Sequence, residues 1–166
     1  MTLGPGDTIV YPTFIAKSTP EQKMFKILLP VDGSACAIRA TRKLLDTLAW
    51  YKEHPQIDLL AVHLPVPRLR GMSAVVSKEM LERYYAEECE EMLAPSRKLL
   101  ESSSVKYNAH TVVGSIAEGI IEQAKQSGSD VIYMGTRGMT ALANMVLGSV
   151  ATRVLHLAHI PVVLIH

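Results

Sequence analysis

Five short apolar runs, separated by stretches of helical periodicity, constrain this chain more than any other feature. Lys26-Ile27-Leu28-Leu29-Pro30-Val31 is nearly continuous in apolar residues, the pattern of a strand covered on both faces. Similar runs recur at Ile57 to Leu64, Val105 to Val112, Asp130 to Met134 and Ile160 to Ile165. Between them, Ser34 to Trp50 sets Ile38, Thr41, Leu45 and Leu48 on one helical face. Ser77 to Ser102 reads as a helix that Pro95 should kink or divide, because proline lacks an N–H and crowds the carbonyl four residues back. A further helix opens on a capping box, Ser115 with Glu118, and closes near Gly128. The last runs from Ser149 to Ala158. This alternation specifies an α/β fold: a single open five-stranded parallel sheet, doubly wound with helices on both faces.

In such folds a ligand sits beyond the carboxyl ends of the strands, where strand order reverses. Two of those ends carry unusual chemistry. The first is Pro30-Val31-Asp32-Gly33-Ser34, after strand one. The second is Met134-Gly135-Thr136-Arg137-Gly138, after strand four, followed at a spacing of nine intervening residues by Gly148-Ser149. If strands one and four are neighbours, both loops open onto one crevice, and the strand order is 3-2-1-4-5.

The second loop suits a phosphate. Glycine removes the Cβ that would block a ligand. A helix start offers unpaired N–H groups and the positive end of its dipole. Ser149 adds a hydroxyl, read here as the N-cap. Arg137 lies between two glycines and can pair with phosphate. Thr152, one helical turn beyond Ser149, falls near the same end. Arg68 and Arg70, after strand two, are candidates for a lid over phosphates.

Composition excludes several classes. Among 166 residues the formal net charge is +1, with no dense Lys/Arg run, which argues against a nucleic-acid partner. No apolar run reaches the roughly 18 residues of a membrane helix. Without a recognisable signal peptide, the expected location is cytoplasmic. Cys36 and Cys89 read as reduced core residues. Residues 1–24, broken by Gly4, Pro5, Gly6, Pro12 and Pro20, read as an irregular arm before a domain spanning 25–166. His156, His159 and His166 have no cysteine or acidic residue close in sequence, so no zinc site is expected.

The run Lys26 to Ser34, the strand end Ala61-Val62-His63, and Gly135-x2-Gly138-x9-Gly148-Ser149 together resemble the universal stress proteins, in their ATP-binding branch. The resemblance covers about residues 24–166. It implies that Asp32 lies against adenosine, with Pro30 and Val31 lining the same pocket, and that Leu64 packs on or hydrogen-bonds the adenine through its backbone. It also implies that Gly135, beside Met134, approaches the ribose, and that Gly138, Gly148, Ser149 and Val150 cradle the phosphates. The cofactor implied is ATP, with Mg²⁺ or Mn²⁺ held mainly by phosphates and water. The implied assembly is a homodimer through the last strand, Val162, Val163, Leu164 and Ile165, with a tetramer of two dimers also open. The implied role is stress adaptation, exercised on a protein partner the sequence does not identify. The chain departs from the family pattern at Gly114-Ser115-Ile116 and at Leu64-Pro65.

Catalysis is weakly supported. No Walker lysine follows a Gly-x4-Gly pattern, no carboxylates cluster for two metals, and strand one lacks a dinucleotide fingerprint. No catalytic residue is assigned, and the expectation is an ATP-binding regulatory module with at most weak hydrolysis. A slow ATPase on the same site and a nucleotide-free dimeric interaction protein are the alternatives.

Overall fold

The structure, a computed structural model, describes residues 24–67, 77–138 and 147–166. In chain order the elements are β1 (Lys26–Pro30), α1 (Ala35–Thr47) with a 3₁₀ turn at Leu48–Trp50, β2 (Gln56–His63), α2 (Lys78–Ser102), β3 (Tyr107–Val113), α3 (Ile116–Ser127), β4 (Val131–Gly135), α4 (Ser149–Leu157) and β5 (Val162–Ile165). The strands form one parallel sheet in the order β3-β2-β1-β4-β5. The expected order and fold class are therefore observed, with the reversal between β1 and β4.

Because side chains alternate across a strand, each central strand feeds two cores. Ile27 and Leu29 of β1, Ile57, Leu59 and Ala61 of β2, and Val131 and Tyr133 of β4 pack under α1 and α2 with Leu44, Leu93 and Leu100. Leu28, Leu60, Val62, Ile132 and Met134 pack on the other face under α3 and α4 with Ile120, Ala124 and Val154. Each large side chain removed from water here stabilises the fold by about 1.5–3 kcal/mol. Gly119 lets α3 sit close to β2: a Cβ there would stand 3.0 Å from Val62.

Several local expectations are corrected. Pro95 does not divide the second helical stretch; α2 is one helix of 25 residues with Pro95 inside it. Tertiary packing outweighs the local cost. Ser96, the next residue, is buried and shares a 2.8 Å hydrogen bond with Thr41 of α1, whose hydroxyl donates to the Ala37 carbonyl at 2.9 Å. Ser115 is the N-cap of α3, but its hydroxyl donates to Glu118 Oε2 at 2.7 Å rather than accepting a backbone N–H. That bond, with the nearby Arg153, holds the Glu118 carboxyl below the usual carboxylate range. Gly148, not Ser149, is the N-cap of α4, because it is the Gly148 carbonyl that accepts the first helical bond, from Thr152 N–H. β2 ends at His63, one residue before the expected Leu64, whereas β4 runs one residue further, to Gly135, which pairs with Ile165. The arm expected over 1–24 falls, up to residue 23, outside the described residues, as do Arg68, Arg70 and residues 139–146.

Candidate functional site

The loop after β1 is a tight turn built by three consecutive residues. Asp32 Oδ1 accepts the Ser34 N–H at 3.0 Å, closing an Asx turn. Gly33 sits at φ +77°, a conformation that side-chain-bearing residues rarely adopt. Ser34 then caps α1 by accepting the Ala37 N–H at 3.2 Å. Gly33 also nests on α2, where its missing Cβ would stand 3.6–3.8 Å from the Met92 Cα and the Glu91 and Met92 carbonyl oxygens. The Glu91 carbonyl is the one that Pro95, lacking an N–H, leaves without its helical bond.

The loop after β4 is stapled at both ends. Thr136 N–H donates to the Ile165 carbonyl at 2.9 Å, and Gly148 N–H donates to the Thr136 carbonyl at 2.8 Å. Its three glycines each answer a close approach within the protein. A Cβ on Gly135 would lie 3.0 Å from the Cys36 backbone of α1, and one on Gly138 would lie 2.6 Å from Asp32 Oδ2. A Cβ on Gly148 would lie 3.3 Å from the Thr136 carbonyl. Gly135 thus serves helix packing, while Gly138 and Gly148 let the loop close on the Asp32 turn and on α4.

Between these loops lies a cavity of about 520 Å³, within the range typical of small-molecule sites. Leu60, Val62, Ile116, Ile120 and Met134 give it an apolar floor, and Glu88, Glu91 and Met92 of α2 form one wall. Pro30, Val31, Asp32, Met134, Gly135, Arg137, Gly138, Gly148, Ser149 and Val150 all line it. Leu64 and Thr152 do not. Leu64 follows the strand end with its side chain 55% exposed, and its carbonyl already accepts His63 Nδ1–H at 2.6 Å. Thr152 begins the second turn of α4 and is exposed. The α2 carboxylates and Thr136 were missed by the sequence reading. Glu88 and Glu91 stand far from Asp32 in sequence, and no local spacing ties them to it.

The first turn of α4 points its chemistry at this cavity. Ser149, Val150 and Ala151 line it, their N–H groups have no carbonyl within the helix, and no side chain caps them. Among the described residues Arg137 is the only basic side chain in the lining, against Asp32, Glu88 and Glu91. Its Nη2 lies over the His166 ring, 3.0 Å from Nε2 and 3.5 Å from Nδ1, and its Nε is buried without a hydrogen-bond partner. At the opposite edge, Glu88 stands 3.9 Å from His63 Nε2, and the His63 ring lies 5.8 and 5.4 Å from the rings of Tyr84 and Tyr85. Tyr85 OH accepts the Val66 N–H at 2.8 Å, fastening the segment after β2 to α2. Among the described residues no three or more His, Cys, Asp or Glu side chains gather to hold a metal ion. No described helix is long and apolar enough to cross a membrane.

Residues 24–166 match the universal stress protein family, and the chain belongs to it. A universal stress protein of Methanocaldococcus jannaschii is 32% identical over 141 residues, covering 84% of this chain and 81% of that one. The solved structure of another M. jannaschii protein of the family superposes with a TM-score of 0.70 at 28% identity, covering 84% of this chain and 94% of that one. A universal stress protein of Archaeoglobus fulgidus, solved in complex with dAMP, shares the fold with a TM-score of 0.57 at 21% identity, covering 87% of this chain and 98% of that one.

Proposed function

We propose that this universal stress protein binds an adenine nucleotide, ATP with Mg²⁺ or Mn²⁺, in the crevice between the loops after β1 and β4, and acts as a regulatory module. The observation that carries the reading is the juxtaposition of an uncapped helix start, Ser149 to Ala151, with Arg137 and an apolar-floored cavity. Unpaired amides at the positive end of a helix favour phosphate oxygens. The apolar floor suits a base, and Asp32 offers a carboxylate to ribose hydroxyls. The metal takes its ligands from phosphate and water. The dAMP complex of the A. fulgidus relative agrees with an adenine ligand on this fold.

The assembly that fits this reading is a homodimer through β5. That strand is an edge of the sheet, and Val162, Val163, Leu164 and Ile165 are only half-buried in the single chain. An uncovered apolar edge invites strand pairing, and a second copy would cover it. Binding would then stabilise the protein by mass action and bias the surface offered to a partner.

The test is direct. Nucleotide released on denaturing freshly purified protein is identified by chromatography, and the apo protein is titrated with ATP·Mg²⁺ by calorimetry. Released or bound adenine nucleotide supports the module. Product formation in the same sample would make it a slow ATPase. Neither release nor binding in a folded sample would sink the reading.

A further inference from the structure

We propose that His166 is a positioning residue for the phosphate site, acting through Arg137; the inference rests on the nucleotide reading above. The Arg137 guanidinium lies against the His166 ring, with Nη2 3.0 Å from Nε2 and 3.5 Å from Nδ1. Being near both ring nitrogens at once places Nη2 over the ring face, where a planar guanidinium stacks favourably. His166 Nδ1 also lies 3.3 Å from Thr136 Oγ1, a hydroxyl that can donate to it or accept from it. Thr136 thus holds the ring whose face carries Arg137.

Thr136 is itself fixed. Its N–H is bonded to Ile165 and its carbonyl to Gly148, the N-cap of α4. One chain of hydrogen bonds thus runs from the end of β5 to the helix start that faces the cavity, and the His166 ring links it to the Arg137 guanidinium. A long, flexible arginine pays an ordering cost when it grips an anion. Holding it by one Nη before the ligand arrives reduces that cost. Arg137 Nε remains a buried donor with no partner, on a residue that lines the cavity, and a phosphate oxygen would satisfy it. His166 thereby contributes to recognition of the phosphate chain and not of the nucleoside.

The experiment compares ATP and adenosine affinity by calorimetry for the full chain and for His166→Leu, His166→Gln, Arg137→Gln and the Arg137→Gln/His166→Leu double variant, with thermal melts to confirm folding. Loss of the ring in His166→Leu should weaken ATP about three- to tenfold, in the range of coupled neighbours, while adenosine changes little. Gln offers a planar amide that can stack on the guanidinium and reach Thr136, and should restore part of the loss. In the Arg137→Gln background, His166→Leu should add no further loss. Equal loss for adenosine and ATP, or a loss that persists without Arg137, would overturn the inference by reducing His166 to a structural role. Unchanged ATP binding by His166→Leu would overturn it while leaving the nucleotide site standing. Failure of the unsubstituted chain to bind either ligand would remove the site and the inference together.

Discussion

Gly138 and Asp32, on loops after different strands, approach so closely that a side chain on the glycine would begin 2.6 Å from the aspartate Oδ2. The carboxylate cannot move away freely, because its Oδ1 holds the Ser34 N–H at 3.0 Å and so shapes the turn that starts α1. The contact brings the two lips of the cavity together. Gly138→Val should therefore lower ATP affinity at least about tenfold, or roughly 1.4 kcal/mol. The fold should survive, since the obstructing atom is the end of a side chain. Calorimetric titration beside a thermal melt checks both halves. Near-normal ATP binding by the folded variant would remove Gly138 from the site.

The glycines also show what could be read in advance and what could not. The apolar runs revealed the strands, because β1, β2 and β4 are covered on both faces and their residues fill both cores, and the two unusual loops gave the order by requiring β1 and β4 as neighbours. The spacing from Gly135 to Ser149 located the loop. It could not separate Gly135, which answers the backbone of Cys36, from Gly138 and Gly148, which shape the cavity. That distinction depends on where α1 lands, a tertiary fact with no local trace. Pro95 misled for the same reason: its helical cost is local, but the Ser96–Thr41 bond and the packing of Leu93 and Leu100 that offset it are not. The end of β2 was expected at Leu64, one residue late, and boundaries follow pairing more than composition.

Gly135 should accordingly behave as a stability residue. Gly135→Ala forces a methyl to within 3.0 Å of the Cys36 backbone, which has no rotamer to change. Overpacking of this kind costs about 1–3 kcal/mol, read as a lower urea midpoint at unchanged slope. Any loss of nucleotide affinity should be smaller than for Gly138→Val.

Gly114 and Gly128 make a paired control. Nothing lies within 4 Å of a Cβ on either, but only Gly128, the C-cap of α3, has a positive φ, +63°. Gly128→Ala should destabilise by about 1–2 kcal/mol through left-handed strain. Gly114→Ala keeps the N–H bonded to the His63 carbonyl and should be neutral or gain about 0.4–1 kcal/mol by restricting the unfolded chain. Equal effects in denaturant melts would contradict the assigned backbone geometry.

Asp58 is a carboxylate 1% exposed in β2, held by neighbouring side chains of β2 and β3. Asn108 of β3 donates to Oδ1 at 2.8 Å and Gln56 at 3.2 Å, His110 Nε2 lies 3.5 Å from the same oxygen, and Oδ2 has no partner. Hydrogen bonds to a charged group are worth about 1.5–3 kcal/mol, so Asn108→Ala should cost in that range. Asn108→Asp, which sets a second carboxylate against the first, should cost more. Urea unfolding at neutral pH tests the order, and Asn108→Ala as stable as the parent would mean that Gln56 and His110 suffice to satisfy the carboxyl.

The alkaline limit of stability should be set in part by two buried acids. Burial, with Glu88 adding to it, pushes the Cys89 thiol above its ordinary value of 9.0. Burial also raises the Tyr133 hydroxyl above 10.0, partly offset by a hydrogen bond with Thr47. For each, the folded chain binds its proton more tightly than the unfolded chain. The stability this represents is whole below the unfolded values and is lost as pH rises through the folded ones. Stability should therefore begin to fall above about pH 9, where the unfolded thiol first ionises. Cys89→Ala should flatten the first part of that decline, at the cost of a small cavity. In the native state at pH 8, Cys89 should resist a thiol-alkylating reagent until denaturant is added, because the reactive species is the thiolate and the group is fully buried. Peptide mapping after brief alkylation reads this out: rapid labelling of Cys89 in the folded chain would show that α2 opens from the sheet far more readily than its packing over Leu59 and Ala61 implies.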